Sequence, residues 1–297
     1  MMALSTVAAE HPRGMCGIPL FPPVAEHLRL RLGARARFEE VKGLISLEPG
    51  IAAQLLTAAN SKVYGYASSV YTVEESMMAL GWDEMKRLVL AVIAAEQPVP
   101  DRIQPLVRAC WSHTVASAFA AVELAGAFGV SGDRAYTLAL MHNIGRFGLL
   151  AVSPDAYHQV FSLHCGSPLE CLGAEEIALG MDHAKAGSWL VRSWGLPAEF
   201  SEAAATHHEL VFDPERPTAI LVALACAMAH TAGFAFGSRR PIGVRTASSR
   251  APAHLQKRLQ SEWNEMKGRS RAKLLEALLC CLEPGTPESV EEFDHAC

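Results

Sequence analysis

The sequence predicts an all-α protein. Apolar residues recur at helical spacing along most of the chain, Pro, Gly and capping residues punctuate the junctions, and no stretch shows strand alternation or a hairpin turn. Half of the 297 residues are hydrophobic, so one large domain or two modest ones can bury a core.

Ala52, Leu55, Leu56 and Ala59 repeat at i, i+3, i+4, i+7 behind Glu48–Pro49, and Pro suits the first turn of a helix. Thr72 is placed to cap a helix running through Met77 and Leu80, and Gly81 stops it. Residues 82–96 read as another helix, closed by Pro98 and Pro100. A long helix is expected over 101–129, with Trp111, Val115, Ala118, Val122 and Ala125 on its buried face. Shorter helices follow at 133–150, 154–164, 168–179, 183–194, 197–208 and 217–233. The most apolar stretch, 218–236, is rich in Ala and Gly and contains Cys226 and His230, which fits a buried helix better than a membrane span.

Residues 1–17 lack the basic start and apolar core of a secretion signal and are expected to be flexible. The basic, Pro/Gly/Ser-rich stretch 238–252 reads as a linker, followed by helices near 253–266 and 271–282 that form a C-terminal extension over 253–283. The tail 284–297 carries Glu288, Glu291, Glu292 and Asp294 without a basic residue, and is expected to be disordered.

None of the eight cysteines forms a CxxC pair, which excludes a zinc ribbon or finger, and scattered thiols fit a reducing cytoplasm. A net charge of -5 gives no global attraction to nucleic acid. Arg239, Arg240, Arg245 and Arg250 stand without an aromatic platform or helix-turn-helix pattern, so a nucleic-acid partner is disfavoured. Phosphate-binding loops and nucleophile elbows are lacking.

Histidines are the chemical lead. WSHTV (His113), MHNIG (His142), MDHAKAG (His183) and ATHHEL (His207, His208) lie about one helix–loop unit apart, the pattern by which a helical bundle converges imidazoles on one interior site. Taken singly, each reads as a satisfied polar residue; four in this order weaken that reading, although spacing alone does not exclude it. His142 and Asn143 sit in the apolar run LALMHNIGRFGLL and, if buried, need hydrogen-bonding partners.

LEPGIAAQLLTAANSKVYG and SVYTVEESMMALGWDEMKRLVLA resemble the front half of an HDOD domain, and LALMHNIGRFGLL, GMDHAKAGSWLVRSWGLP and EAAATHHEL resemble its second half. The resemblance spans 18–237, with front helices over 18–97 and an HD-like core over 98–237. Asn60–Ser61 and Leu80–Gly81 fit the pattern, whereas Glu48–Pro49 stands where Asp–Pro is commoner. HDOD domains are similar to the HD superfamily of metal-dependent phosphohydrolases, in which a His, a His–Asp pair, further His residues and a late Asp hold metal ions. The resemblance carries His113, His142, His183 and His207 or His208 onto those positions.

Two departures stand out: Asn143 replaces the aspartate of the pair, and Cys226 in LACAMAH replaces the late one. A neutral amide cannot bridge two ions as a carboxylate does, whereas a thiolate can still ligate zinc or iron. HHELVFDPERP keeps Glu209 but lacks the Gly-Tyr-Pro of cyclic-dinucleotide phosphodiesterases, and Arg146 stands where those enzymes place Lys. No catalytic residue is therefore assigned. His113, His142, Asn143, His183, His207, His208 and Cys226 form a vestigial metal set, with the Asn143 amide expected to donate to a neighbour. No cofactor is required by this reading; the most it accommodates is one divalent ion, Fe, Zn, Mn or Ni. The resemblance implies a non-catalytic bacterial signalling domain that works through a protein partner in the cytoplasm. The alternative is an atypical phosphohydrolase acting on a nucleotide or cyclic dinucleotide.

Overall fold

The computed structural model describes residues 17–33, 36–65, 68–96, 99–163, 167–209, 213, 215–236 and 264–273, and among them it is helical with no strand. Five helices come first: α1 (Pro22–Gly33), α2 (Phe38–Ser46), α3 (Pro49–Asn60), α4 (Val73–Leu80) and α5 (Trp82–Ala95). They are followed by α6 (Gln104–Ala125), α7 (Gly132–Met141), α8 (Ile144–Val152), α9 (Pro154–Ser162), α10 (Pro168–Leu179), α11 (His183–Ser193), α12 (Ala198–Thr206) and α13 (Pro217–Thr231).

The caps anticipated from sequence are in place. Thr72 and Glu75 form a reciprocal capping box at the start of α4, and Gly81 ends it at φ 74°. Glu48 caps α3 and does more: its buried carboxyl group accepts from the Phe21 amide at 2.9 Å and the Gly50 amide at 3.3 Å. Burial pushes its pKa up to about 8.

Helix α6 is the spine of the molecule, packed along α7 and α13. On its N-terminal side, Trp111 Nε1 donates to the Leu47 carbonyl at 2.6 Å and the indole stacks on Phe21 at 4.2 Å between ring centroids. Tyr136 of α7 donates to the Ser46 carbonyl at 2.9 Å. The first five helices and the later ones therefore share one core.

Three expected boundaries shift. The long helix is Gln104–Ala125, with a 3-10 turn over Gly126–Phe128 and left-handed Gly129. The expected helix at 133–150 is two: α7 stops at Met141, α8 starts at Ile144, and His142–Asn143 form the break. Both side chains make local polar contacts there, His142 with the Ala139 carbonyl and Asn143 with Arg146, and such contacts compete with the helical ladder. Conversely, residues 264–273 run as one helix through the break expected between the two C-terminal segments. Met266 and Ser270, one turn apart, are buried, and Arg269 and Lys273 pair with Glu123 of α6 at 2.7 and 3.7 Å. The expectations for 1–16, for the linker 238–252 and for the tail 284–297 fall outside the described residues.

Helix α13 is buried on every side from Thr218 to Ala229, which accounts for its lack of amphipathic patterning. No described helix is long and apolar enough to cross a membrane. Helices α8 and α11 cross with backbones touching: a Cβ on Gly145 would lie 2.0 Å from the His183 carbonyl oxygen and 2.4 Å from the Gly187 nitrogen. Only glycine allows that approach, and the approach sets the His142–Asn143 turn close to the N-terminus of α11.

Candidate functional site

Five helices deliver the donor atoms. His113 lies mid-way along α6, His142 caps the C-terminus of α7, and His183 is the first residue of α11, held there by the Asp182 N-cap accepting from the Lys185 amide at 2.8 Å. His207 caps the end of α12, His208 follows it, and Cys226 projects from α13. His113, His142 and Cys226 form one group and His183, His207 and His208 another; within each group the ligand atoms lie within 4.8 Å of one another. The His142 and His207 rings, 4.8 Å apart at their centroids, join the two groups into one interior chain. Six of the seven side chains singled out from sequence thus lie together, while the seventh, Asn143, has its carbonyl on Arg146.

Their protonation follows from their partners. Nδ1 of His113 donates to the Phe234 carbonyl at 2.6 Å, that of His142 to Ala139 and that of His207 to Ala204 at 2.8 Å, while Nδ1 of His183 donates to the Glu175 carboxylate at 2.5 Å. Carbonyl and carboxylate oxygens only accept, so each Nδ1 carries the proton and each Nε2 keeps its lone pair. Burial first, then neighbouring imidazoles and the Arg146 charge, hold all five histidines well below the ordinary imidazole pKa, and they are neutral.

Two lone pairs then face each other. Nε2 of His183 lies 3.2 Å from Nε2 of His207 and 2.9 Å from Nε2 of His208. His208 can donate to His183 through Nε2–H, but no proton is left for the His183–His207 contact. Nε2 of His142 has no hydrogen-bond partner at all, nor has Nδ1 of His208. A tetrahedral ion with bonds of about 2.0–2.1 Å to nitrogen sets its nitrogen ligands roughly 3.3 Å apart, so a divalent cation would take the Nε2 atoms of His183, His207 and His208 at nearly their present spacing. Cys226 Sγ lies 3.4 Å from Nε2 of His113, and burial pushes its thiol pKa up to about 12. The residues present fit a divalent ion.

Behind the imidazoles lies a charged network that the sequence did not reveal. Glu175 of α10, 1% exposed, accepts from the His183 amide at 2.8 Å as well as from its ring, and also from Tyr157 at 2.9 Å and Arg146 at 3.1 Å. A carboxylate behind the ring is the arrangement that fixes a ligating histidine's tautomer and raises its basicity. Arg146, 3% exposed, also donates to Tyr157 at 2.8 Å and stands 4.7 Å over the Phe236 ring. Burial opposes the Arg146 charge, but Tyr157 and Glu175 outweigh it and its pKa is raised. Arg146 Nε donates to Asn143 Oδ1 at 3.2 Å, which turns the Asn143 carbonyl toward the guanidinium. Its amide nitrogen is left without a partner, so the expected donation to a neighbour does not occur.

Comparison with known proteins matches residues 18–210 to the HDOD domain. The chain belongs to the HDOD family. A curated relative from Treponema pallidum (strain Nichols), an uncharacterized protein, is 23% identical over 186 residues; the match covers 60% of this chain and only 35% of that protein. Among solved structures, this HDOD chain is similar to a fragment of the MmoQ response regulator from Methylococcus capsulatus str. Bath, with 20% identity, a TM-score of 0.65, and coverage of 81% of this chain and 94% of that one. A virulence factor from Campylobacter jejuni subsp. jejuni shares 16% identity at a TM-score of 0.60, over 95% of both chains. At these identities the likeness speaks for the fold alone.

Proposed function

We propose that this HDOD chain is a non-catalytic signal-transduction domain acting through a protein partner, with its histidine core kept as a metal-capable interior. Family membership fits a signalling domain, and the finer reading rests on one observation: four of the five imidazoles are buried, and only His208 is partly exposed. His142, His183 and His207 are 0% exposed and His113 is 4% exposed, with Arg146 and Glu175 packed behind them. A phosphoester needs open access to the ion and to the water that attacks it, and burial of these four rings narrows that access. Charge supports the same reading, because Asn143 and Cys226 leave no carboxylate to bridge two ions. A location in a reducing compartment belongs to this proposal and agrees with Cys110, Cys171 and Cys226 being outside any disulfide.

The test is hydrolysis of nucleotides and cyclic dinucleotides by protein loaded in turn with Fe, Zn, Mn or Ni. No turnover is expected with any of them. Hydrolysis abolished by His142→Ala or His183→Ala would overturn the proposal in favour of an atypical phosphohydrolase.

A further inference from the structure

We infer that His113, His142 and Cys226 form a thiolate-bearing site for one zinc-like ion, so that the cysteine is the anionic ligand of this core rather than a lost aspartate. The site is assembled from three helices: α6 brings His113, α7 brings His142 and α13 brings Cys226. Each imidazole is anchored through Nδ1, His113 on the Phe234 carbonyl and His142 on the Ala139 carbonyl, so both Nε2 lone pairs are fixed in direction before any ion arrives. Nε2 of His142 is buried and has no other partner.

The ligand spacing matches a small tetrahedral ion. Bonds of about 2.3 Å to sulfur and 2.0–2.1 Å to nitrogen put those two ligand atoms roughly 3.5 Å apart, and the Cys226 Sγ to His113 Nε2 distance is 3.4 Å. His142 completes the triangle, with its ligand atom within 4.8 Å of the other two.

Chemistry selects the ion. Two imidazoles and a thiolate favour zinc, or cobalt as its spectroscopic stand-in, over the magnesium and manganese that oxygen ligands suit. Binding expels the Cys226 thiol proton to solvent, leaving a single negative ligand against a double positive charge. The charge of Arg146 is already matched by Glu175 at 3.1 Å, so the thiolate is the anion that offsets the ion between His113 and His142. The site rests on the reading of the histidine core as metal-capable, but not on the absence of hydrolysis.

The test is a cobalt(II) titration of chelator-treated full-length protein, followed by absorption. Expected are tetrahedral ligand-field bands together with a near-ultraviolet sulfur-to-cobalt charge-transfer band. In Cys226→Ser the charge-transfer band should vanish and affinity fall by about tenfold or more, with the helical circular dichroism unchanged. In His208→Gln both bands should persist. Ligand-field bands without charge transfer, or a charge-transfer band that survives Cys226→Ser, would overturn the assignment, and so would the absence of any cobalt uptake. If Cys226→Ser fails to fold, Cys226→Asp serves instead: retained ligand-field bands with loss of the charge-transfer band would uphold the site. A hydrolase assay on the same samples separates failure of the non-catalytic reading from failure of the thiolate site.

Discussion

Gly145→Ala adds one methyl group where two helix backbones touch. The new Cβ would sit 2.0 Å from the His183 carbonyl oxygen and 2.4 Å from the Gly187 nitrogen, and neither is the movable end of a side chain. Carbon–oxygen contacts close no nearer than about 3.3 Å, so α8 and α11 must part by roughly 1.3 Å. Overpacking of this kind costs about 3 kcal/mol at the upper end of its range, and the better helix propensity of Ala returns about 1 kcal/mol. A net loss of about 2 kcal/mol is expected, read as a lower urea midpoint at unchanged slope. Gly173→Ala is the control: this glycine lies on the exposed face of α10 with nothing within 4 Å of the added Cβ, and a gain of about 0.5–1 kcal/mol is expected. If Gly145→Ala were as stable as the wild type, the backbones would not be in contact, and the crossing that brings His142 toward His183 would be refuted.

Arg146→Met should cost about 3–5 kcal/mol, because Glu175 is left buried without its counter-charge, and adding Glu175→Gln should recover part of the loss; urea melts of the wild type and the two variants measure both. Trp111→Phe removes the donor to the Leu47 carbonyl and should cost about 1–3 kcal/mol by the same assay. The raised pKa of Glu48 has a definite sign: the unfolded carboxyl ionises near 4.5, the folded one near 8, so stability falls as pH rises between these values. Glu48→Gln begins from an offset, since its amide meets backbone donors. Its stability relative to wild type should nevertheless improve by about 1.4 kcal/mol per pH unit from pH 5 to 7.5, and equal slopes in the two proteins would refute a neutral buried Glu48.

The helical fold and the order of the histidines were legible because both are written in local spacing. Glu48–Pro49, Thr72 and Gly81 act within one turn of where they stand, and His113, His142, His183 and His207–His208 each occupy a separate unit. The Glu175 network was not legible. Glu175 and Glu176 are adjacent in a helix of mixed character, yet one is buried and the other exposed, a choice made by Arg146 twenty-nine residues earlier and by Tyr157. The helix break at His142 was hidden for a related reason: apolar residues flank it on both sides, and periodicity registers burial, not the turn. Asn143 is expected to donate because an amide stands where a carboxylate could only accept. A guanidinium beside it reverses its orientation.

On α6, His113 and Trp111 are two residues apart, so they project about 200° from one another, one into the imidazole cluster and the other onto Leu47 and Phe21. A helix does not compress over so short a span. The same turn of α6 therefore fixes both the seat of His113 and the platform beneath Leu47 and Phe21. Any substitution that shifts this turn is therefore felt on both faces of the helix at once, at the imidazoles and at the junction of α2 with α3.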